Sequence, residues 1–148
     1  MKVCVVTNTQ QLQDALSVRH RVFVEEQNIS SEFDKDEYDG SATHVVIYDK
    51  EVPVATGRYR VVKDMAKIER IAVLSSYRGN GVGKMVMAEL EQAAKKRGLA
   101  CVILDAQAHA ENFYEKLGYQ SVSGIFMKQS IPHLEMKKRL TKEKVPQI

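Results

Sequence analysis

The spacing of hydrophobic and polar residues changes along the chain near Leu74. Before that point, a short apolar run at residues 2–6 predicts a buried strand, and apolar positions at helical spacing follow over residues 8–27. Asn8 or Thr9 is placed to cap this helix. Three β-rich runs come next, joined by the short connections Lys-Glu and Lys-Asp-Met. Short turns between successive strands predict an antiparallel meander.

After Leu74 the pattern becomes helical and then strand-like again. Apolar residues recur on one face of residues 82–97, whose last turn is cationic and is followed by Gly98, as is typical of a helix end. A continuously apolar run at 99–106 and a second amphipathic segment, stopped by Gly118, come next. A strand, a helix and a strand in succession predict a parallel pair with a right-handed crossover. The pattern therefore predicts an α/β (α+β) fold with a mixed, mostly antiparallel sheet of about seven strands.

Composition sets broad limits on location and partner. The 148 residues are 44% hydrophobic and 28% charged, the balance of an ordinary single-domain globular protein. A net charge of +3 demands neither a nucleic-acid nor a membrane partner, and no apolar run approaches the ~20 residues that cross a bilayer. Cys4 and Cys101 stand in apolar runs, which predicts reduced thiols and a cytoplasmic location. Residues 141–148 are expected to form a basic, solvated tail.

Three glycines at every second position, Gly79, Gly81 and Gly83, stand between a predicted strand and a predicted helix. Glycine lets a ligand approach the backbone, and the unpaired N–H groups of a helix start favour phosphate. A P-loop does not fit, because Arg78 replaces its first glycine and Met85 replaces its magnesium-binding hydroxyl. A dinucleotide fingerprint does not fit either, because the spacing is G-x-G-x-G and a meander precedes it. A phosphate-binding loop and a glycine-rich turn without a ligand both stay open.

The pattern R-x-x-G-x-G, met by Arg78, Gly81 and Gly83, resembles the pyrophosphate loop of the GNAT superfamily of acetyl-CoA-dependent N-acetyltransferases. The later segment QAHAENFYEKLGY resembles a second motif of that superfamily, with Gln107 in place of the usual asparagine. The two motifs stand in the family's order, about 30 residues apart, and the resemblance covers roughly residues 2–140. It extends to a small bacterial branch of mostly unassigned substrate, and the stretch IERIAVLSSYRGNGVG is also similar to glucosamine-6-phosphate N-acetyltransferase.

The resemblance implies a single GNAT-type domain over residues 1–140, with helices on both faces of the sheet and a splayed pair of parallel strands. It implies acetyl-CoA as the cosubstrate and no metal, and the scattered cysteines and histidines have no metal-ligand spacing. In the family, the strand before the glycine loop hydrogen-bonds the pantetheine arm through its backbone. The candidate cofactor-binding residues are Ile71, Ala72, Val73, Arg78, Gly79, Asn80, Gly81, Val82, Gly83, Lys84, Gln107, Asn112, Tyr114 and Lys116.

Acetyl transfer from a thioester to an amine needs a neutral amine, a stabilised carbonyl oxygen and a protonated leaving thiolate. The family geometry implies that the Val73 N–H polarises the carbonyl and that the Tyr114 hydroxyl is the general acid. The ring of Tyr114 also fits a purely structural place on an amphipathic helix.

Glu69 is the candidate base or amine-positioning group. Strand alternation predicts that it shares a face with Ile71 and Val73, opposite Arg70 and Ala72. A salt bridge with an arginine of the neighbouring strand, at position 58 or 60, explains this carboxylate equally well. A water chain to bulk solvent would replace any side-chain base.

The acceptor is less readable from the sequence. The acidic segment 25–40 would suit a cationic amine, whereas Arg58 and Arg60 would suit an anionic acceptor, and His44 is expected to be structural. We therefore predict an N-acetyltransferase that acts on a small primary amine by direct attack in a ternary complex. We expect no nucleic-acid or membrane partner, and a homodimer is one option. A protein lysine or N-terminal acetyltransferase and a non-catalytic acyl-CoA-binding sensor stay open as alternatives.

Overall fold

The computed structural model describes residues 1–30 and 35–140, so the expected tail at 141–148 and four positions of the acidic segment lie outside the described residues. The strands are β1 (Lys2–Val5), β2 (Thr43–Asp49), β3 (Val52–Val62), β4 (Met65–Val73), β5 (Cys101–Gln107), β6 (Gln120–Ser121), β7 (Phe126–Lys128) and β8 (Ile131–Arg139). The helices are α1 (Thr9–Arg19), α2 (Val82–Lys96) and α3 (Glu111–Lys116), with a π-helical segment at His20–Glu26 and 3₁₀ turns at Ser75–Tyr77 and Ala108–Ala110.

Within the described residues, eight strands form one sheet in the order β1-β2-β3-β4-β5-β8-β6, with β7 also paired to β8. Strands β1 to β4 pair antiparallel, which confirms the meander. Strands β4 and β5 pair in parallel, which confirms the crossover through α2. The sheet has one strand more than expected because β7 is only three residues long, too short to show an alternating pattern.

Helices α1 and α2 cover opposite faces of the sheet, as the family resemblance implied. On one face, Arg58 of β3 shares the carboxylate of Asp39 with Arg19 of α1. The preceding residue, Gly57, faces α2, and a Cβ there would lie 2.7 Å from Val86 Cγ1. The hydrophobic core occupies the two layers between these helices and the sheet. Glycine is required at position 57 because a side chain would enter the packing of α2.

The first helix changes type part-way along. Asn8 is its N-cap, with Oδ1 accepting a hydrogen bond from the Gln11 N–H at 2.8 Å. After α1 the chain continues as the π-helical segment His20–Glu26, and the Gln27 N–H donates to the Val22 carbonyl, five residues back, at 3.1 Å. The spacing of apolar residues predicted a single uniform helix here. One wide turn shifts the apolar positions too little for the sequence to reveal it.

Strand β4 contains a bulge at Arg70, whose φ is 59°. Thr56 of β3 pairs with Ala72, but Arg58, two residues further along β3, pairs with Glu69, three residues back along β4. One extra residue is therefore inserted in β4, and such an insertion breaks the alternation of side chains.

The bulge overturns the predicted grouping of side chains along β4. The Glu69 carboxylate and the Arg70 guanidinium both reach the charged groups on the α1 side, where Arg70 lies 3.3 Å from Asp36. Ile71 instead faces α2, with Cδ1 2.5 Å from where a Cβ on Gly57 would stand. The expectation that Glu69 shares a face with Ile71, opposite Arg70, is therefore wrong.

Strands β4 and β5 separate soon after they meet. Their parallel pairing runs from Ala66 with Val102 to Ile68 with Leu104, three positions in all. Beyond Ile68, β4 bulges while β5 continues to pair with β8 on its other side. The splayed parallel pair is confirmed, and it leaves a wedge open at the carboxyl ends of the two strands.

Candidate active site

A cavity opens in the wedge between β4 and β5. Four of the predicted site residues line it together, namely Glu69, Ile71, Gln107 and Tyr114. Further walls come from the chain after α1 and from the turn between β7 and β8. The other predicted residues lie outside this lining. Asn112 and Lys116 are exposed on α3, and the residues of the glycine loop lie at the start of α2.

The glycine loop ends at the first turn of α2. Gly81 precedes the helix with a φ of 77°, a left-handed conformation that favours glycine. The Met85 N–H donates to the Gly81 carbonyl at 3.1 Å, which closes the first helical turn. The N–H groups of Val82, Gly83 and Lys84 precede it, so they point out of the helix start, where the positive end of the helix dipole lies. This geometry suits a phosphate.

Arg78 and Val73 connect the glycine loop to β4. The Arg78 guanidinium donates from Nε to the Val73 carbonyl at 3.0 Å and forms a salt bridge with Glu26 of the π-helical segment. The Leu74 N–H donates to the Val54 carbonyl of β3 at 2.9 Å. Because N–H groups alternate in direction along an extended strand, the Val73 N–H points away from β3, toward the wedge. That direction suits its predicted role of polarising the thioester carbonyl.

Tyr114 is both a packed aromatic and a wall of the cavity. Its ring makes edge contacts with Phe113 and Tyr119, with centroid separations of 5.0 Å and 5.9 Å. Its hydroxyl has no hydrogen-bond partner in the part of the chain that the structure describes. Burial raises the pKa of Tyr114 to about 12. The hydroxyl therefore stays protonated at neutral pH and can act as a hydrogen-bond donor.

A buried charged cluster lies beside the cavity on the α1 side. Arg58 is at its centre, 1% exposed, with Nη1 at 2.7 Å from Asp36 and 2.6 Å from Asp39, and Nη2 at 2.9 Å from Glu69. The predicted acceptor-binding charges therefore neutralise one another. Arg58 and these two aspartates of the acidic segment are thus paired with one another, and Arg60 is paired with Glu69. His44 is buried beside them, with Nε2 2.9 Å from the Asp39 carbonyl, in keeping with a structural place.

Glu69 lines the cavity and belongs to this cluster at the same time. Burial alone would raise the pKa of Glu69, but hydrogen bonds from Arg60 and Arg58 hold it below its ordinary value. The carboxylate is therefore ionised at neutral pH and is a weak proton acceptor. The predicted salt bridge is present with both arginines, and the carboxylate also lines the cavity.

Comparison with known proteins identifies the family. A family model described as an acetyltransferase (GNAT) domain matches residues 7–140. This chain belongs to the GNAT acetyltransferase family. It is 45% identical over 139 residues to the uncharacterized N-acetyltransferase YjcF of Bacillus subtilis, covering 93% of this chain and 99% of that protein.

Solved structures share the same GNAT fold. Escherichia coli ElaA superposes with a TM-score of 0.83 at 28% identity, covering 93% of this chain and 98% of that one. An acyl-CoA N-acyltransferase from Pseudomonas aeruginosa gives 0.84 at 26% identity, covering 93% and 99%. An aminoglycoside 6′-N-acetyltransferase complexed with coenzyme A gives 0.78 at 17% identity, covering 98% and 100%, a likeness of fold alone.

Membership of the GNAT family makes this chain an acetyl-CoA-dependent N-acetyltransferase, which confirms the predicted enzyme class and cosubstrate. No helix among the described residues is long and apolar enough to cross a membrane. Within residues 1–30 and 35–140, no three His, Cys, Asp or Glu side chains are grouped so as to hold a metal ion. Cys4 and Cys101 are free thiols, each half-buried. The cytoplasmic location and the homodimer stay predictions.

The sequence missed several residues of this GNAT cavity. Phe23 and Gln27 reach it from the end of the first helix, and Asp105, Lys128 and His133 reach it from β5, β7 and β8. His133 stands in the segment IPHLEM, which the sequence presents only as a closing strand. Its place in the cavity follows from pairing across the sheet, and local spacing does not contain that information.

Proposed function

We propose that this GNAT enzyme transfers the acetyl group of acetyl-CoA to the primary amine of a small molecule, by direct attack in a ternary complex. The proposal rests on one observation: the start of α2 lies between the end of β4 and the helix that carries Tyr114. A Cβ on Gly83 would stand 3.7 Å from Val73 Cγ2 and 3.5 Å from Phe113 Cζ, and Tyr114 itself lines the cavity. Pyrophosphate at the α2 N–H groups would direct the pantetheine arm along β4 into the cavity. The thioester would then lie beside Tyr114.

The proposed reaction uses few groups of the chain. The neutral amine attacks the thioester carbonyl, and the Val73 N–H stabilises the charge that develops on its oxygen. Tyr114 donates a hydrogen bond to the departing sulfur and acts as the general acid. A thiol has an ordinary pKa near 8.5, below the value of about 12 for Tyr114, so hydrogen bonding to the thiolate is the larger part of that role.

Glu69 has the role of an amine-positioning group in this proposal. Its carboxylate is ionised and lines the cavity, so it can accept a hydrogen bond from the acceptor amine. Because it is also bonded to Arg58 and Arg60, it is a poor acceptor of the amine proton. Asp105, on β5, is the second carboxylate of the lining, and it contacts Lys67 at 3.5 Å and Lys128 at 3.3 Å. Both carboxylates thus contribute charge rather than proton transfer.

The walls of the cavity favour a compact acceptor. Phe23 and Ile29 bound it on the side of the first helix, and Lys128 and Gln129 bound it on the side of the β7–β8 turn. An extended peptide needs an open groove that allows its backbone to pass on both sides of the reactive amine. A small amine fits between walls on opposite sides.

A CoA-release assay over a panel of acceptors tests the proposal. The panel contains simple primary amines, amino sugars, polyamines and peptides with a free lysine or a free N-terminus. We expect the largest kcat/KM for a small amine, with peptides at least tenfold lower. A peptide that exceeds every small amine would replace this proposal with protein acetylation.

A further inference from the structure

His133 is a buried histidine of the cavity that no step described above uses. It lies on β8, where it pairs with Gln107 of β5 on one side and with Phe126 of β7 on the other. Its side chain is 7% exposed, and its ring stacks on that of Phe126 with a centroid separation of 6.0 Å and an interplanar angle of 23°. The ring is thus fixed in orientation while it lines the cavity.

One hydrogen bond determines the tautomer of the neutral imidazole. Nδ1 of His133 lies 2.7 Å from the Ile131 carbonyl oxygen. A carbonyl oxygen only accepts, so Nδ1 carries the hydrogen and donates it. Nε2 then has the lone pair, and it has no hydrogen-bond partner within residues 1–30 and 35–140. A fixed ring with a free basic nitrogen is the arrangement that a general base requires.

We propose that His133 is the general base of this enzyme and that its Nε2 takes the proton from the attacking acceptor amine. This inference rests on the proposed function. Imidazole is the side chain that ordinarily changes protonation nearest neutral pH, and so it combines basicity with a neutral form at working pH. Glu69, the base candidate from the sequence, is bonded to two arginines in the same cavity.

The proposed step needs no reactant other than the amine, acetyl-CoA and solvent protons. The amine nitrogen forms the new C–N bond as the C–S bond of the thioester breaks, and one amine proton moves to His133 Nε2. The CoA thiolate takes one proton from the Tyr114 hydroxyl, which regains a proton from solvent. His133 then returns its proton to solvent, so the neutral amine and acetyl-CoA yield the amide and CoA.

Other titratable groups face the same cavity and can affect the pH dependence of a reaction there. β4 contributes Glu69 and Arg70, β5 contributes Asp105, β7 contributes Lys128, and α3 contributes Tyr114. The two carboxylates and the two cations are paired with neighbouring charges, and Tyr114 titrates far above neutral pH. Among the described residues, His133 is therefore the nitrogen base of this lining that has no ion-pair partner.

The kinetic test uses His133→Asn, because the Asn amide stands near the position of Nδ1 and can still donate to the Ile131 carbonyl. The assay measures CoA release across pH 5.5–9 with the amine of the panel that reacts fastest. We expect kcat/KM to fall by roughly 10²-fold and the acidic limb of the profile to vanish, with acetyl-CoA affinity unchanged in calorimetry. An Asn variant with wild-type rates and profile would show that the imidazole serves only the structural hydrogen bond and would overturn the proposal. The control is His20→Gln, at an exposed histidine outside the cavity lining, which should keep the wild-type profile.

A second measurement needs no acceptor. Bromoacetyl-CoA places an alkylating carbon at the position of the acetyl group, where an imidazole nitrogen forms a C–N bond and bromide leaves. We expect peptide mapping to find the adduct on His133, to lose it in His133→Asn, and to lose it when acetyl-CoA competes. Binding of bromoacetyl-CoA without an adduct on His133 would overturn the assignment of the base while the proposed function stands. A wild-type chain that fails to bind acetyl-CoA would overturn both.

Discussion

Glu69 and Arg58 join β4 to β3 directly beside the bulge, with Glu69 Oε1 2.9 Å from Arg58 Nη2. The same oxygen accepts from Arg60 Nε at 2.9 Å. Glu69→Gln should therefore lower the free energy of unfolding by about 1–3 kcal/mol, because two arginines lose a partly buried counter-charge. Thermal and urea unfolding of the variant measure this loss.

The pH profile of the same variant separates stability from catalysis. Because hydrogen bonds from the arginines lower the pKa of Glu69, the carboxylate is ionised throughout the neutral range. The Glu69→Gln variant should keep the shape of the wild-type kcat/KM profile, even where its absolute activity falls. Loss of the acidic limb of the kcat/KM profile in this variant would restore Glu69 to the role of base.

Tyr114→Phe should affect the chemical step and leave the fold intact. The ring contacts with Phe113 and Tyr119 survive, and the hydroxyl has no partner within the described residues. We expect kcat to fall by roughly 10²-fold with the Kd for acetyl-CoA unchanged. Full turnover in this variant would mean that water protonates the thiolate unaided.

The matched control for this substitution is Tyr119→Phe. The Tyr119 hydroxyl donates to Glu91 at 2.8 Å, away from the cavity lining. Its loss should lower stability by about 1 kcal/mol while kcat stays at the wild-type level.

Gly81→Asp should weaken acetyl-CoA binding by at least tenfold, or about 1.4 kcal/mol. Gly81 immediately precedes α2, so a carboxylate there repels the pyrophosphate that we place at the helix start. A Cβ at this position meets nothing within 4 Å, but the φ of 77° strains any residue other than glycine. Gly81→Asn has the same shape and backbone strain without the charge, so calorimetry on both variants isolates the electrostatic part. Equal affinities would remove pyrophosphate from the α2 start.

Asp36 should contribute to acid unfolding. A hydrogen bond from Arg58, at 2.7 Å, lowers the pKa of Asp36 from its ordinary 3.8 to about 2. The unfolded chain binds the proton more tightly, so this contribution to stability is complete above the ordinary value and is lost as the pH falls toward 2. Melting temperatures between pH 2 and 7 should therefore fall less steeply on the acid side in Asp36→Asn. Parallel curves for the two proteins would contradict the assignment.

Gly57→Ala should destabilise the fold by overpacking the layer between the sheet and α2. Its Cβ would stand 2.5 Å from Ile71 Cδ1 and 2.7 Å from Val86 Cγ1, so both side chains must move. Overpacking of this kind costs about 1–3 kcal/mol. Gly40→Ala is the control, because a Cβ there meets nothing within 4 Å. Urea unfolding of both variants checks the prediction. Equal free energies of unfolding for the two variants would contradict it.

The order of the elements was readable from the sequence because each depends on local spacing. The meander followed from its two short turns, and the end of α2 followed from the cationic residues before Gly98, which has a φ of 88°. The bulge at Arg70 was not readable, because an inserted residue leaves the alternating pattern of β4 looking regular. The π-helical turn after α1 was hidden for a related reason: it changes which face a residue occupies without changing the residues themselves.

Some residues of the candidate site could be predicted from local sequence, and others depend on contacts between distant parts of the chain. The glycine loop and the segment that contains Tyr114 are continuous in sequence, so their motifs pointed to them directly. His133 enters the cavity only through its pairing with Gln107, 26 residues earlier in the chain. The mutual neutralisation of Arg58 and Asp36 likewise depends on a long-range approach that composition does not reveal.

Because β4 pairs with β5 at only three positions, the sheet consists of two half-sheets joined by a short parallel ladder. β1 to β4 form one half and β5 to β8 the other, and longer antiparallel ladders hold each half together. Separation of β4 from β5 breaks few backbone hydrogen bonds and leaves both halves folded. An acyl donor that inserts between β4 and β5 would contact both halves, so cosubstrate binding would also stabilise the sheet where its backbone pairing is shortest.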